Sequence, residues 1–486
     1  MHYHWLNWTI IAAYLAAMVG VGFWFMRRNK SADDYFRGGG RLPWWVVSLS
    51  IYATLFSSIT FLSIPALTYR TDCRYFIKTF GILILVPIVL KFYLPFFRKL
   101  NLTSAYEYLE VRFNLACRLF ASTAFTLFMV ARTAIVAYLP AIALAAVTDM
   151  DVNTAIVAVT LVTIVYCTIG GVEAVVWSDF VQSVILIAST VAIYAYLVLG
   201  TDGGVSGFLS KGLDSGKFKM LDFGWDWAQP VFWVTFVGGL VENLVSYTSD
   251  QCVIQRYMTT KDEAGAAKSI KLNGILSFAN CFIFFTLGVA LWTFYQSHAD
   301  RIPTLEKSDQ IFPWFIANEL PIGFSGLVLA AVAAATMSTL SANLNSAATA
   351  VTTDFYDRLF KGRNKLLCGK VVTVAVGLLG GAFALVLANM DIGSIYDQFL
   401  RFLGVLTGGL ACLFLMGRFM KFVNGWGAFV GLIVNYIVSF TLDLAPLGHK
   451  PHLLLYGFFG MVACLVTAPV ASRFFKSQDN GKDSNS

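Results

Sequence analysis

The chain is 486 residues long, 57% hydrophobic and only 13% charged, with a mean hydropathy of +0.69. That leaves too little polar surface to coat a water-soluble body of this size, so the solvent is a lipid bilayer and soluble classes are excluded. The formal net charge of +7 belongs to basic residues near span ends, and no basic-aromatic patch marks a nucleic-acid surface.

A hydrocarbon core about 30 Å thick takes roughly 17 to 25 mainly apolar residues in a helix. Thirteen stretches read as spans: 6–26, 44–69, 76–97, 116–147, 153–170, 179–200, 230–249, 272–297, 322–352, 369–389, 395–416, 425–443 and 453–472. The fold class is therefore all-α, a polytopic membrane protein. The first stretch is a retained helix rather than a signal peptide, because Met1 to Asn7 carries no Lys or Arg and no small-residue cleavage site follows. Two stretches, 44–69 and 322–352, are too long and too rich in Ser, Thr and Pro to be plain anchors, and a break or bend is expected inside each.

Basic residues set the orientation, since Lys and Arg near span ends are held on the cytoplasmic side. With the N-terminus outside, the inner loops collect Arg27, Arg28, Lys30, Arg37, Arg41, Arg256, Lys261, Lys268, Lys271, Arg358, Lys361, Arg363 and Lys365. The balance is about 21 inside against about 8 outside, which puts the tail from Arg473 in the cytoplasm. In a bacterium this is an inner-membrane protein.

Soft-metal and hydrolytic chemistry find no support. The eight cysteines are scattered without a CxxC, and the five histidines (His2, His4, His298, His449, His452) sit at the N-terminus and in outer loops. No GxxxxGK[ST] loop points to ATP, and no nucleophile and base pair points to an intramembrane enzyme.

Charges inside spans are costly and mark function or pairing. Arg132 lies mid-span with no acid within two turns. Two readings stand for it: a brace on carbonyls or on an acid of another helix, and a receptor for a carboxylate, which a guanidinium fork matches bidentately. Asp179 opens the 179–200 span and reads either as an N-cap or as a cation site. Glu242 is a weaker candidate of the same kind; Lys78 reads as snorkelling, and Asp397 with Arg401 as a local i,i+4 pair. Hydroxyls cluster in Ala53 to Pro65 and in Ala335 to Ser346; single Ser and Thr residues usually bond to their own helix, but clusters beside an unwound backbone make the hard oxygen set that an alkali cation prefers.

Span count and parity suggest two inverted five-helix repeats, 44–200 and 229–417, the second opening near Gly238-Gly239. They follow a first helix and loop (1–43) and precede two C-terminal helices (425–472) and a tail (473–486). No residue-level similarity between the halves is evident.

Three blocks carry a resemblance: Asp33-Asp34-Tyr35-Phe36-Arg37-Gly38-Gly39-Gly40-Arg41, Thr103 to Phe113, and Gly170-Gly171-Val172-Glu173-Ala174-Val175-Val176-Trp177-Ser178-Asp179. In that order the chain resembles the sodium:solute symporters over most of its length. Through Ser57 to Phe61, Ser63 to Ala66 and Arg132 it is most similar to the bacterial sodium-coupled sialic acid branch. The resemblance implies thirteen helices, a LeuT-type inverted-repeat core, Na+ as coupling ion, and uptake by alternating access. It implies that Ser57, Thr60 and Arg132 meet a solute carboxylate and that Asn243 meets the polar remainder. Thr79 stands where the branch has a glutamine, and Leu55 where it has a threonine. It further implies a shared sodium site at the carbonyls of Ala53, Phe56 and Ala335 and the hydroxyls of Ser338 and Thr339. A second ion would use Asp179, Ser338 and Ser341, with Ala342 replacing a serine, so stoichiometry stays open. The expected partners are an anionic solute, sodium and lipid, with the monomer as working unit. A neutral-sugar or monocarboxylate symporter is the runner-up, and a sensor or channel ranks lower.

Overall fold

The computed structural model describes residues 5–26, 36, 38–100, 102–147, 150–305, 308–390, 394–446 and 448–475. Several residues read from the sequence lie outside them: His2, His4, Arg27, Arg28, Lys30, Arg37, the block residues 33–35, and the tail beyond 475. The helices used below are α1 (Trp5–Met26), α2 (Trp44–Leu55), α3 (Ile64–Arg70), α4 (Phe80–Ile88), α5 (Leu115–Val147), α6 (Val152–Gly200), α7 (Phe232–Thr248), α8 (Gln251–Met258), α9 (Glu263–Ser297), α10 (Phe324–Ala350), α11 (Lys365–Ala388), α12 (Ile395–Phe419), α13 (Gly425–Leu444) and α14 (Tyr456–Ser472).

Nine described helices are long and apolar enough to cross a membrane, and ten if the bent pair Trp44–Leu55 and Ile59–Arg70 counts as one. The other three expected spans also fall on helices. Two of them have short described apolar runs, Trp5–Met18 and Val152–Val165, and the third is the 17-residue α7.

The expected break in 44–69 is present: α2 ends at Leu55 and the chain turns by 59° before continuing. Pro65 accounts for the irregular turn beyond the break. Its missing N–H cannot close the regular ladder, and a π-turn over Ile59–Ser63 absorbs the mismatch before α3.

The expected break in 322–352 is absent. Phe324–Ala350 is one uninterrupted helix, irregular only beyond it, in a π-turn at Val351–Asp357. Several of its hydroxyls bond back to their own helix, Thr336 to the Val332 carbonyl at 2.7 Å and Thr349 to that of Asn345 at 2.8 Å, and these are satisfied without unwinding it. Gly238-Gly239 likewise breaks nothing; it lets α7 close on the segment before α4, where a Cβ on Gly239 would stand 2.3 Å from the Lys78 carbonyl oxygen. The loop expected at 171–178 shrinks to a kink at Gly171 (φ +60), which joins two helical arms within α6.

The apolar core divides into two clusters with a polar layer between them. On α6, Val176 belongs to one and Leu186 to the other, with buried Asp179, Gln182 and Ser183 in the gap; on α9, Ile270 and Phe284 flank buried Asn273, Ser277 and Asn280. Burying these groups is tolerable only where they bond to one another, as Asn273 does with Tyr247 at 2.6 Å and Asn280 with Tyr52.

The Thr103–Phe113 block ties loop to helix ends. Glu107 accepts the N–H groups of Thr103 and Ser104 at 2.9 and 2.8 Å, while Glu110 receives Arg118 at 2.8 Å and Arg358 at 2.7 Å. Partial burial raises the Glu110 pKa, but the hydrogen bonds from the two guanidinium groups outweigh it and hold the carboxyl below its ordinary range. Arg118 also reaches buried Asp354, past the end of α10, at 2.8 Å.

Candidate functional site

The break after α2 lies in the polar layer, against α5. A helix end leaves its last carbonyls without intrahelical donors. The Tyr52 carbonyl is met by the Phe56 N–H at 2.8 Å and that of Thr54 by Arg132 Nη2 at 2.8 Å, while the carbonyls of Ala53 and Phe56, which the resemblance implies as sodium ligands, lie at the same break. Ser58 Oγ donates to the Val136 carbonyl at 3.2 Å and docks the turn on α5. Ser57 is buried; its oxygen accepts the Ile59 N–H at 3.1 Å, so its own hydroxyl proton remains to be donated, the polarity an anion requires. Thr60 stands on the π-turn, half-buried.

Arg132 is 5% exposed, and the bracing role is the one its contacts show. It braces the Thr54 carbonyl and faces Asp250 with Nη1 3.6 Å from the carboxylate, so it does have an acid on another element. Its Nε is buried without a partner, and a guanidinium has five N–H donors to place. Capacity for an anion remains.

Asp179 is no N-cap. It sits inside the second arm of α6, wholly buried, accepting Ser50 Oγ at 2.6 Å and Ser338 Oγ at 2.7 Å and pairing with Arg256 Nη2 at 3.1 Å. Arg256, expected among the inner-loop cations, is itself 1% exposed; it also donates to Ser50 Oγ at 2.9 Å and to the Cys252 carbonyl at 2.8 Å. Ser341 Oγ bonds to the Ser338 carbonyl at 2.9 Å. The set read for a second ion is thus already neutralised and largely satisfied from within.

On α10, Ala335, Ser338 and Thr339 are all buried, and Thr339 Oγ1 has no hydrogen-bond partner. A buried hydroxyl left unpaired is costly, so this orphan oxygen fits a missing cation. Ser338 hands its proton to Asp179, which turns its lone pairs outward. Alkali ions need no thiolate or imidazole, and among the described residues no His/Cys/Asp/Glu group of metal-binding size occurs.

Thr79 and Asn243 lie together where the segment before α4 meets α7. Asn243 Nδ2 donates to the Gly239 carbonyl at 2.7 Å and that of Lys78 at 3.4 Å, and Thr79 Oγ1 is buried without a partner. Beside them Lys78 does not snorkel: its Nζ bonds both oxygens of Glu242, at 3.1 and 3.0 Å, which also closes Glu242 as a free cation ligand. Arg401 ion-pairs with Asp443 at 3.0 Å rather than with Asp397.

Sequence reasoning missed Asp250, Arg256 and Ser50. The run after α7 is too polar to score as a span, yet it folds as α8, capped by Asp250 onto the Cys252 N–H at 2.8 Å. The signal was the i,i+4 spacing of Gln251 with Gln255 and of Cys252 with Arg256, a helical face turned inward.

A family model described as the sodium:solute symporter family matches residues 35–435. The chain belongs to that family. Among curated relatives, the sodium/sialic acid symporter SiaT of Proteus mirabilis (strain HI4320) is 36% identical over 475 residues, 97% of this chain and 95% of the relative. The sodium/sialic acid symporter NanT of Aliivibrio fischeri (strain ATCC 700601 / ES114) is 35% identical over 482 residues, 98% of this chain and 95% of the relative. A solved structure of a Na+-coupled sialic acid symporter, substrate-bound and outward-open, superposes with a TM-score of 0.90 at 35% identity, covering 97% of this chain and 98% of that one. This family member therefore has the all-helical LeuT-type fold.

Proposed function

We propose that this chain is a sodium-coupled secondary active symporter that carries a carboxylated solute, most directly sialic acid (N-acetylneuraminate), by alternating access. The observation that carries the reading is the juxtaposition at the α2 break: freed carbonyls, a donor-ready Ser57 and a buried, incompletely satisfied Arg132. The curated relatives, near-full-length at 35–36% identity, support the same solute.

Sodium is assigned to the carbonyls of Ala53, Phe56 and Ala335 and the hydroxyls of Ser338 and Thr339. By bridging α2 and α10 it stabilises the break in the shape that presents Ser57 and Thr60 to the solute carboxylate beside Arg132. Asn243 and Thr79 take the polar remainder. One Na+ carried with a monoanionic solute moves no net charge, so the membrane potential drops out and a tenfold sodium gradient alone supplies about 1.4 kcal/mol, which supports about a tenfold solute gradient. One ion is the favoured stoichiometry. A second at Asp179, Ser338 and Ser341 must first displace Arg256, and Ala342 offers it no hydroxyl.

The two halves, 44–200 and 229–417, act as the inverted repeats, with 425–472 as appended helices. The membrane is the cell membrane, in a bacterium the inner one, with the N-terminus outside and the tail from Arg473 in the cytoplasm; the inner-loop Lys and Arg excess supports this, less Arg256. All assigned groups lie in one chain, so the monomer is the working unit. Proteoliposomes loaded with potassium and diluted into sodium should accumulate labelled N-acetylneuraminate, and excess unlabelled sialic acid, but not glucose or lactate, should compete. Equal accumulation in choline medium would refute the coupling; competition by lactate would move the reading to a monocarboxylate carrier.

A further inference from the structure

Outside the residues of this site, α13 and α14 meet residues 225–228 and 449–451 around a cavity of about 700 Å³. Its walls are apolar and run along the helices as Val438, Leu442, Phe459 and Val462, the last 42% exposed. Its lip carries Trp225, Asp226, Trp227, His449 and Lys450.

The lip is held in place. The His452 N–H donates to the Trp227 carbonyl at 2.7 Å, Trp225 stacks on Trp233 with centroids 5.6 Å apart, and the Ala228 N–H donates to Asp226 at 2.9 Å. Lys450 Nζ donates to the Asp443 carbonyl at 2.7 Å, which uses one of its three protons and leaves two. One carboxylate and one ammonium therefore stand at the mouth of a furrow whose walls offer no hydrogen bonds.

The surroundings choose the occupant. The furrow follows two membrane-spanning helices, where acyl chains are the available solvent, and paired tryptophans at its mouth mark the headgroup level. A soluble sugar would find no polar partner along the walls. A purely anionic headgroup would suit Lys450 but meet Asp226; a zwitterion with a phosphate and a primary ammonium suits both. We infer that this cavity binds one zwitterionic glycerophospholipid of the phosphatidylethanolamine type. Its phosphate lies on Lys450, its ammonium on Asp226 beside the indole faces, and one acyl chain along Val438, Leu442, Phe459 and Val462. Such a lipid would staple the α13–α14 hairpin to the loop that leads into α7.

The test is native mass spectrometry of the delipidated full-length carrier with phosphatidylethanolamine or with phosphatidylcholine of identical acyl chains. One phosphatidylethanolamine should be retained. Phosphatidylcholine, whose methylated nitrogen has no N–H for Asp226, should bind at least about fivefold more weakly. Asp226→Asn should erase that preference, and Lys450→Ala should lower retention about tenfold. Val462→Trp, or Leu442→Trp if the first does not fold, should fill the furrow and abolish the adduct while solute uptake stays unchanged. Equal retention of the two lipids by the unmodified carrier, or an undiminished adduct in the tryptophan variants, overturns the proposal. Displacement of the lipid by N-acetylneuraminate would give the cavity to the solute and overturn it too.

Discussion

Helices α2 and α10 line the same proposed ion site by opposite means. The first is fractured and offers backbone oxygens alone; the second is unbroken and offers two side-chain hydroxyls beside the Ala335 carbonyl. A carbonyl is freed most fully where its helix hydrogen bond is lost and otherwise has one lone pair to spare, as at Ala335, whereas a serine or threonine on a continuous helix needs only a favourable face. The contrast predicts which changes at the site can be made by mutation: the hydroxyl ligands on α10 can be deleted, and the carbonyl ligands on α2 can only be displaced.

The largest effect should come from the residue that braces the fracture. Arg132→Ala should lower uptake at limiting solute by at least about a hundredfold, from lost charge-assisted bonds and an Asp250 charge left buried and unpaired. Adding Asp250→Asn separates the two: a charge-balancing role predicts recovery, and an anion receptor predicts none. Thr339→Ala should come next, raising the half-saturating sodium concentration about tenfold, with Ser338→Ala similar or larger because it also frees Asp179. Unchanged sodium dependence in both would remove α10 from the site. On the α2 side, Phe56→Ala keeps the carbonyl and should leave sodium dependence within about twofold. Its cost should appear as a lower melting temperature, since the ring stacks on Tyr52 at 4.5 Å and packs near Phe284 at 6.0 Å. Smallest of all, Ala342→Ser should not change the charge moved per solute while Arg256 remains paired with Asp179. One net positive charge per solute, where one ion with a monoanionic solute moves none, would sink the one-ion reading.

The sequence disclosed the solvent, the helices and the α2 break, because long apolar runs and a proline beside hydroxyls have few alternative structures. It misjudged α10, where an equally hydroxyl-rich run folds without interruption. Composition does not tell a hydroxyl that returns to its own helix, as Thr336 does, from one that accompanies unwinding. Asp179 and Arg256 failed for a related reason: each looked like an end or loop residue in one dimension. Their pairing spans 77 positions and exists only once α6 and α8 are packed. Lys78 with Glu242 repeats the lesson across 164 positions.

The tight seam at Gly239 has a mechanical corollary. With no room for even a methyl group between α7 and the Lys78 backbone, and with a Cβ on Gly81 only 2.8 Å from the Gly239 oxygen, the two strips are keyed like a mortise and tenon. Neither can slip along the other, so they should tilt as a single lever, with flexure relegated to the neighbouring fracture. Spin labels on Leu83 and Trp233 should keep one separation with and without sodium; a shift would show that the joint gives.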